Sequence, residues 1–245
     1  MGVAFAVVAG LLVLANMGAR TRGASWLSFI LKVLCGIAFC LLGVAGLIHV
    51  WGGSSRLTEL GVFILVGLVL GLLGDASLAL KDFVKEGHGG WYEGLFLSGF
   101  GFFSLGHVAY IVGLGRGWAT PFPWVPILVC AVLAVSYVLS GRALRLNFGS
   151  IAWIVAVYSF LVLMLPAMGF FAAATGAQPS AAVLHEGAIQ QPGVIAVAGL
   201  CFVVSDLVLA WTYFGPGKER GWEHALCYVF YYAAQFGIAA SLFWS

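Results

Sequence analysis

Eight times along its 245 residues the chain carries an apolar run close to the length that a helix needs to cross a hydrocarbon core, about 20 residues. The runs cover residues 3–18, 26–50, 60–80, 94–114, 122–140, 148–172, 194–213 and 223–244. Short connections separate them and hold most of the charge, glycine and proline, as in "GARTRGAS", "WGGSSRLTE", "KDFVKEGHGGWYE" and "FGPGKERGWE". A segment surrounded by lipid must satisfy its backbone polar groups internally, so runs of this length specify helices. The expectation is an all-α, polytopic integral membrane protein: one bundle of eight transmembrane helices in a single domain, residues 1–245. The longest connection, "AAATGAQPSAAVLHEGAIQQPG", is polar and expected to be weakly structured.

Composition agrees with a lipid solvent. Charged residues make up 8% of the chain and hydrophobic ones 62%, where a soluble domain carries roughly 25% charged residues. A net charge of +2 without a basic run gives no argument for a nucleic-acid partner, and none is expected. Cys35, Cys40, Cys130, Cys201 and Cys227 all lie inside apolar runs, which indicates neither a disulfide framework nor a zinc site. The first run, "MGVAFAVVAGLLVLANM", has no basic segment before it, and Arg20 and Arg22 follow it. It reads as a short first span rather than a signal peptide.

Basic residues orient the spans. Arg20, Arg22, Lys81, Lys85, Arg142, Arg145, Lys218 and Arg220 follow the odd-numbered spans, whereas only Arg56 and Arg116 follow the even ones. Cytoplasmic loops carry the excess of Lys and Arg. The odd loops are therefore expected to be cytoplasmic and both termini non-cytoplasmic, in a bacterial inner membrane or the endoplasmic reticulum.

Against this background three ionisable residues stand out. Asp75 in "LVGLVLGLLGDASLALKDF" and Asp206 in "AGLCFVVSDLVLAWTYF" each fall within about two turns of the cytoplasmic end of a span. Lys32 lies at a similar depth in the second. An acid or lysine at a helix centre costs about 2.5–3.5 kcal/mol on insertion scales. The three must then face the bundle interior, pair, or line a wet cavity. A packing ion pair of Lys32 with one acid would leave the second acid unexplained, and buried pairs are weak evidence for stability.

Helical spacing places further polar groups beside them. Gly71, Asp75 and Leu78 share a face with Gly74 adjacent, which lets a neighbouring helix approach closely. Gly99, Phe103, His107 and Tyr110 follow one stripe, and Tyr228, Tyr231, Tyr232 and Gln235 another. A faint internal echo, "GDASLA" at 74–79 and "SDLVLA" at 205–210, brings in Ser205 and suggests a parallel duplication of four helices. No G-x-S-x-G elbow, H-E-x-x-H, phosphate loop or dinucleotide fingerprint occurs. His49, His88, His107, His185 and His224 lack metal-ligand spacing, so neither a metal nor a cofactor is expected.

Taken together, "LKVLCGIAF" around Lys32, "GDASLAL", "GLFLSGFGFFSLGHVAYI", "FVVSDLVLAWTYF" and "YYAAQ" resemble the YhhN-like lysoplasmalogenase family from residue 26 onward. One departure is that no proline follows Lys32 closely; the next is Pro121. The resemblance implies hydrolysis of the sn-1 vinyl ether of a lysoplasmalogen, a lysophospholipid drawn from the bilayer. The products would be a fatty aldehyde and glycerophospho-choline or -ethanolamine. By position it implies Asp75 and Asp206 as essential acids, with Lys32, His107, Tyr110, Tyr232 and Gln235 around them; Ser205 and Tyr231 join them as supporting residues. Vinyl ethers cleave by protonation of the alkenyl carbon distal to oxygen, so the reaction needs a positioned proton donor. Two carboxyl groups in different environments can supply an acid and a charge stabiliser. The residues alone leave open which aspartate plays which role. They also leave open a transporter or channel whose acids bind a cation or relay protons, a lipid hydrolase with another substrate, and a purely structural role.

Overall fold

The computed structural model describes residues 2–20, 22, 26–84, 90–118, 122–176, 190–216 and 221–244. Its eight α-helices are α1 (Gly2–Arg20), α2 (Trp26–Val50), α3 (Ser55–Lys81), α4 (Trp91–Gly117), α5 (Trp124–Leu139), α6 (Ala152–Thr175), α7 (Gln190–Phe214) and α8 (Gly221–Ala240). Short 3-10 turns precede α6 and extend α8. Helices thus stand where the apolar runs predict them, but polar turns lengthen several. Helix α3 begins at Ser55, five residues before its apolar run, because the Ser54 hydroxyl accepts the Leu57 N–H at 3.2 Å. Such a cap satisfies a backbone donor that would otherwise be orphaned at the helix start. Helix α7 likewise begins at Gln190, which shortens the long polar connection; residues 177–189 of it lie outside the described residues, as do Lys85, His88, Lys218 and Arg220.

Among the described residues, six helices are long and apolar enough to cross a membrane: α2, α3, α4, α6, α7 and α8. The same six close into a ring, each packing on the next, with α4 meeting α6 and α8 returning to α2. The two shorter apolar helices are satellites. Helix α1 lies against α2 and α8, and α5, at 16 residues or about 24 Å, lies against α6. The plan of the first four helices is therefore repeated by the last four: one peripheral helix followed by three ring helices. Asp75 and Asp206 occupy the middle ring helix of their respective halves, α3 and α7.

The ring's interior is filled by Phe39, Leu60, Ile64, Leu68, Leu165, Ile195, Phe202 and Ile238, all fully buried. Its outer face exposes leucine, valine and isoleucine, such as Leu41, Ile48, Val157 and Leu200, which lipid would cover. Exposed tryptophans mark helix ends: Trp26, Trp51, Trp91, Trp124, Trp153 and Trp222. Tryptophan favours the membrane–water interface, where its ring is half in each phase. The pattern is that of a multi-pass membrane protein.

Glycine lets α3 approach its neighbours. A methyl group at Gly106 of α4 would lie 3.1 Å from the Gly67 carbonyl oxygen, so these two helices touch backbone to backbone. Small residues at such crossings are how membrane helices gain packing without a hydrophobic drive. On α3 the same residues make room for larger side chains: a methyl at Gly71 would lie 2.6 Å from Gln235 Nε2, and one at Gly74 2.9 Å from the Phe103 ring.

Candidate active site

Two turns before the end of α3, Asp75 is almost completely buried, with 2% of its surface exposed. Lys32 of α2 places Nζ 3.1 Å from its Oδ1. The Tyr231 hydroxyl of α8 donates to the other carboxylate oxygen, Oδ2, at 2.7 Å. Both oxygens are thus engaged, one by an ammonium and one by a phenol. Such a desolvated charge persists only when it is paired and hydrogen-bonded.

Behind Tyr231 the chain of contacts continues. Gln235 Nε2 donates to the Tyr231 hydroxyl at 3.0 Å, and Tyr110 of α4 donates to Gln235 Oε1 at 2.9 Å. Helix α8 supplies Tyr231 and Gln235 one turn apart, so a single helix face presents both. Gly71 makes the space that Gln235 fills. The line Tyr110–Gln235–Tyr231–Asp75 therefore ties three helices to one carboxylate, fixing its direction.

Asp206 has a different setting. It lies on α7, half-buried, and the Tyr158 hydroxyl of α6 donates to its Oδ2 at 2.7 Å. Among the described residues no Lys, Arg or His nitrogen forms an ion pair with it. Its position relative to the cavities is what distinguishes it. A polar cavity of about 50 Å³, room for a few waters, is lined by Lys32, Asp75, Ser205, Asp206, Tyr228 and Tyr231, with Arg20 and Asp82 also on its wall. Adjoining it along α7, an apolar cavity of about 230 Å³ is lined by Phe100, Tyr137, Val155, Tyr158, Val162 and Val203. Asp206, Leu209 and Tyr213 belong to both walls.

The structure thus brings together Lys32, Asp75, Tyr231, Ser205 and Asp206 around one space. Tyr110 and Gln235 stand a layer behind, acting through Tyr231. Tyr232 points away from the cavity and accepts a hydrogen bond from Asn16 Nδ2 of α1 at 2.9 Å. His107 is also set back: it is fully buried, its Nδ1 is 2.9 Å from the Phe103 carbonyl oxygen, and its ring packs edge-on against Phe202 at 4.5 Å. Ser205 lies 3.7 Å from the Cys227 sulfur. Among the described residues, no three His, Cys, Asp or Glu side chains converge as metal ligands would.

Four residues at this site escape the sequence reading. Tyr158 is the direct partner of Asp206, and Tyr213 is shared by both cavities. Arg20 and Asp82 form an ion pair of 2.6 Å at the outer part of the polar wall. Tyr158 carried a signal in being a hydroxyl within an apolar span. Its relevance depends on α6 packing against α7, which no spacing rule reveals.

One acid is thus held by a cation and a second by a phenol, and the second lies on a wall shared by a polar and an apolar cavity. Residues 25–242 match the profile of the YhhN family. Comparison with individual curated proteins and with solved structures gives no match. The matched region contains α2 through α8 and every cavity-lining residue named above except Arg20, and on that match the chain belongs to the YhhN family.

Proposed function

We propose that this protein hydrolyses the sn-1 vinyl ether of lysoplasmalogens, releasing a fatty aldehyde and a glycerophospho-alcohol. The observation that carries the reading is the placement of Asp206 on the wall between an apolar cavity and a polar one that holds the Lys32–Asp75 pair. A vinyl ether is itself a boundary group, with an alkenyl chain on one side and a glycerol oxygen on the other. The chain enters the apolar cavity, the glycerol end faces the polar one, and the reacting carbons come to Asp206.

In this mechanism Asp206 is the proton donor. Its carboxyl group has an apolar wall on one side and a phenol as its hydrogen-bond partner. Proton transfer to the alkenyl carbon distal to oxygen forms a C–H bond, breaks the O–H bond of Asp206 and leaves an oxocarbenium ion. Asp75, kept ionised by Lys32, faces that positive charge across the polar cavity and takes a proton from the attacking water. The hemiacetal then collapses: its hydroxyl proton passes to Asp206 and restores the donor, its C–O bond to glycerol breaks, the glycerol oxygen takes the proton held by Asp75, and the aldehyde leaves. One water is consumed and no electron changes hands. Positioned proton transfer of this kind contributes about 10²–10⁴-fold to rate.

Solvent isotope tests the reading. Turnover of a lysoplasmalogen by purified protein in heavy water, with rapid trapping of the aldehyde, installs one deuterium at its carbon two. The saturated alkyl-ether analogue offers no carbon to protonate and stays intact. Aldehyde without deuterium, or cleavage of the saturated ether, overturns the mechanism. We propose in addition that the loops after α1, α3, α5 and α7 face the cytoplasm, as their basic residues favour. Labelling of Ala143→Cys only from the opposite side, in a background without native cysteines, would reverse that orientation.

A further inference from the structure

The proposed reaction uses Lys32, Asp75 and Asp206, but it leaves unused the ion pair at the outer part of the polar cavity. Arg20 is the last residue of α1, and Asp82 caps the C-terminus of α3. Their side chains are 15% and 19% exposed, against 3% for Asp75, so the wall grades from closed to open between the two acids. Asp82 also has Lys81 Nζ at 3.5 Å, and Lys81 is itself held between the rings of Tyr92 and Tyr213. One cation therefore stays with Asp82 through its own aromatic clamp, while Arg20 comes from a peripheral helix.

We infer that Arg20 and Asp82 read the headgroup of the lipid: the guanidinium takes the phosphodiester and the carboxylate takes the cationic nitrogen of a zwitterionic headgroup, the ammonium of glycerophospho-ethanolamine or the quaternary nitrogen of glycerophospho-choline. This rests on the lipid reading above and adds which end of the lipid is recognised, and by what. Three observations carry it. Arg20 and Asp82 line the same polar cavity as Lys32 and Asp75, on its more exposed side, so an entering headgroup meets them before it meets the Lys32–Asp75 pair. Seven residues separate Asp75 from Asp82 along α3, about 10 Å of helix, which matches the reach of an extended glycerophosphoethanolamine. Finally, a zwitterion needs one cation and one anion side by side, and Arg20 with Asp82 at 2.6 Å supplies both. Arg offers a planar fork that matches phosphate oxygens, an advantage over a point-charge ammonium. On binding, the Arg20–Asp82 contact is exchanged for Arg20–phosphate and Asp82–amine contacts, so charge stays balanced throughout.

The test uses binding and needs no turnover. Purified full-length protein is titrated, by native mass spectrometry, with two saturated 1-O-alkyl lysolipids that differ only in headgroup, phosphoethanolamine and phosphoglycerol. Both carry the phosphate; only the first carries the amine. The wild-type protein should bind the ethanolamine lipid more tightly by about tenfold, the scale of a charge-assisted contact. Asp82→Asn should erase that preference by weakening the ethanolamine lipid alone. Arg20→Gln should weaken both lipids, with Arg20→Lys recovering part of the loss. Equal affinity of the wild-type protein for the two headgroups overturns the inference, even if neither variant folds. So does an Asp82→Asn variant that weakens both lipids alike. Aldehyde release is measured separately: headgroup preference without aldehyde defeats the hydrolase reading alone, and aldehyde release without headgroup preference defeats this one alone.

Discussion

The two halves of the bundle place the same residue type on the same ring helix and then treat it differently. In the first half Asp75 is enclosed by an ammonium from α2 and a phenol from α8, with both oxygens engaged. In the second half Asp206 has a phenol from α6 at 2.7 Å and opens on an apolar cavity. The helix preceding each acid supplies a partner from its seventh residue, Lys32 in α2 and Tyr158 in α6. A cation stands at one site and a neutral hydroxyl at the other, so a duplicated plan becomes an asymmetric pair. The proposed mechanism rests on that difference: it assigns the charge to Asp75 and the transferred proton to Asp206.

The largest expected effect comes from removing either acid. Asn at position 75 or 206 keeps the side-chain shape but can neither carry charge nor give up a carboxyl proton. Each variant should lose about 10³-fold in aldehyde release while inserting normally into membranes. Turnover at the wild-type rate in either variant would remove that residue from the mechanism, and with it the proposed division of roles.

Stability should separate the two sites next. Lys32→Met strands the Asp75 carboxylate without its cation, and breaking a buried pair costs about 3–5 kcal/mol. The double variant Lys32→Met with Asp75→Leu removes both charges and should recover most of the thermal stability. Asp206→Leu strands no ion partner among the described residues and should melt close to the wild-type protein. Melting followed in detergent solution decides the matter; an equal loss from Asp206→Leu would mean that the two acids play the same structural part.

How much of this was legible beforehand follows from what each residue's signal depends on. Eight helices are readable because an apolar run in lipid must satisfy its backbone internally, and six of them also reach the length that hydrocarbon thickness sets. Asp75, Asp206 and Lys32 are readable because charge in an apolar run is expensive wherever it faces. What the sequence does not disclose is lateral neighbourhood. Nothing in the spacing distinguishes Tyr231, which touches Asp75, from Tyr232, which turns toward Asn16 of α1. Adjacent residues on a helix diverge by about 100°, so the outcome depends on how α8 is rotated in the ring. His107 illustrates the reverse case: a polar residue on a promising stripe is carried behind Phe202 by the α4–α7 geometry. Lys81, counted as a loop charge, ends α3 and is buried, with Tyr92 OH at 3.3 Å from its Nζ.

A smaller effect tests the partner that the sequence did not mark. Tyr158→Phe keeps the ring and removes the hydroxyl that donates to Asp206. The expected loss is about tenfold in kcat, the scale of one hydrogen bond to a charged group, with KM and melting nearly unchanged. Tyr110→Phe acts on Asp75 only through Gln235 and Tyr231, so its loss should be smaller. If the order were reversed, the proton donor would belong to the first half of the bundle.

The smallest effect concerns selectivity rather than rate. If the alkenyl chain lies in the apolar cavity beside Asp206, filling that cavity should change which chains are accepted. Val203→Phe adds a ring to its wall, opposite the α6 residues Val155 and Val162. Each methylene that no longer fits forfeits about 0.8 kcal/mol of burial, which is about fourfold in relative kcat/KM. The variant should therefore favour shorter chains over the native length by several-fold, with the chemical step itself intact on the shorter substrate. Phe29→Leu, on the polar cavity around Asp75, meets no chain and should leave the length preference as it was. Competition between two chain lengths in one reaction reads the ratio directly. A length preference that moves with Phe29 and not with Val203 would place the chain on the Asp75 side, and the proton donor would have to be sought there.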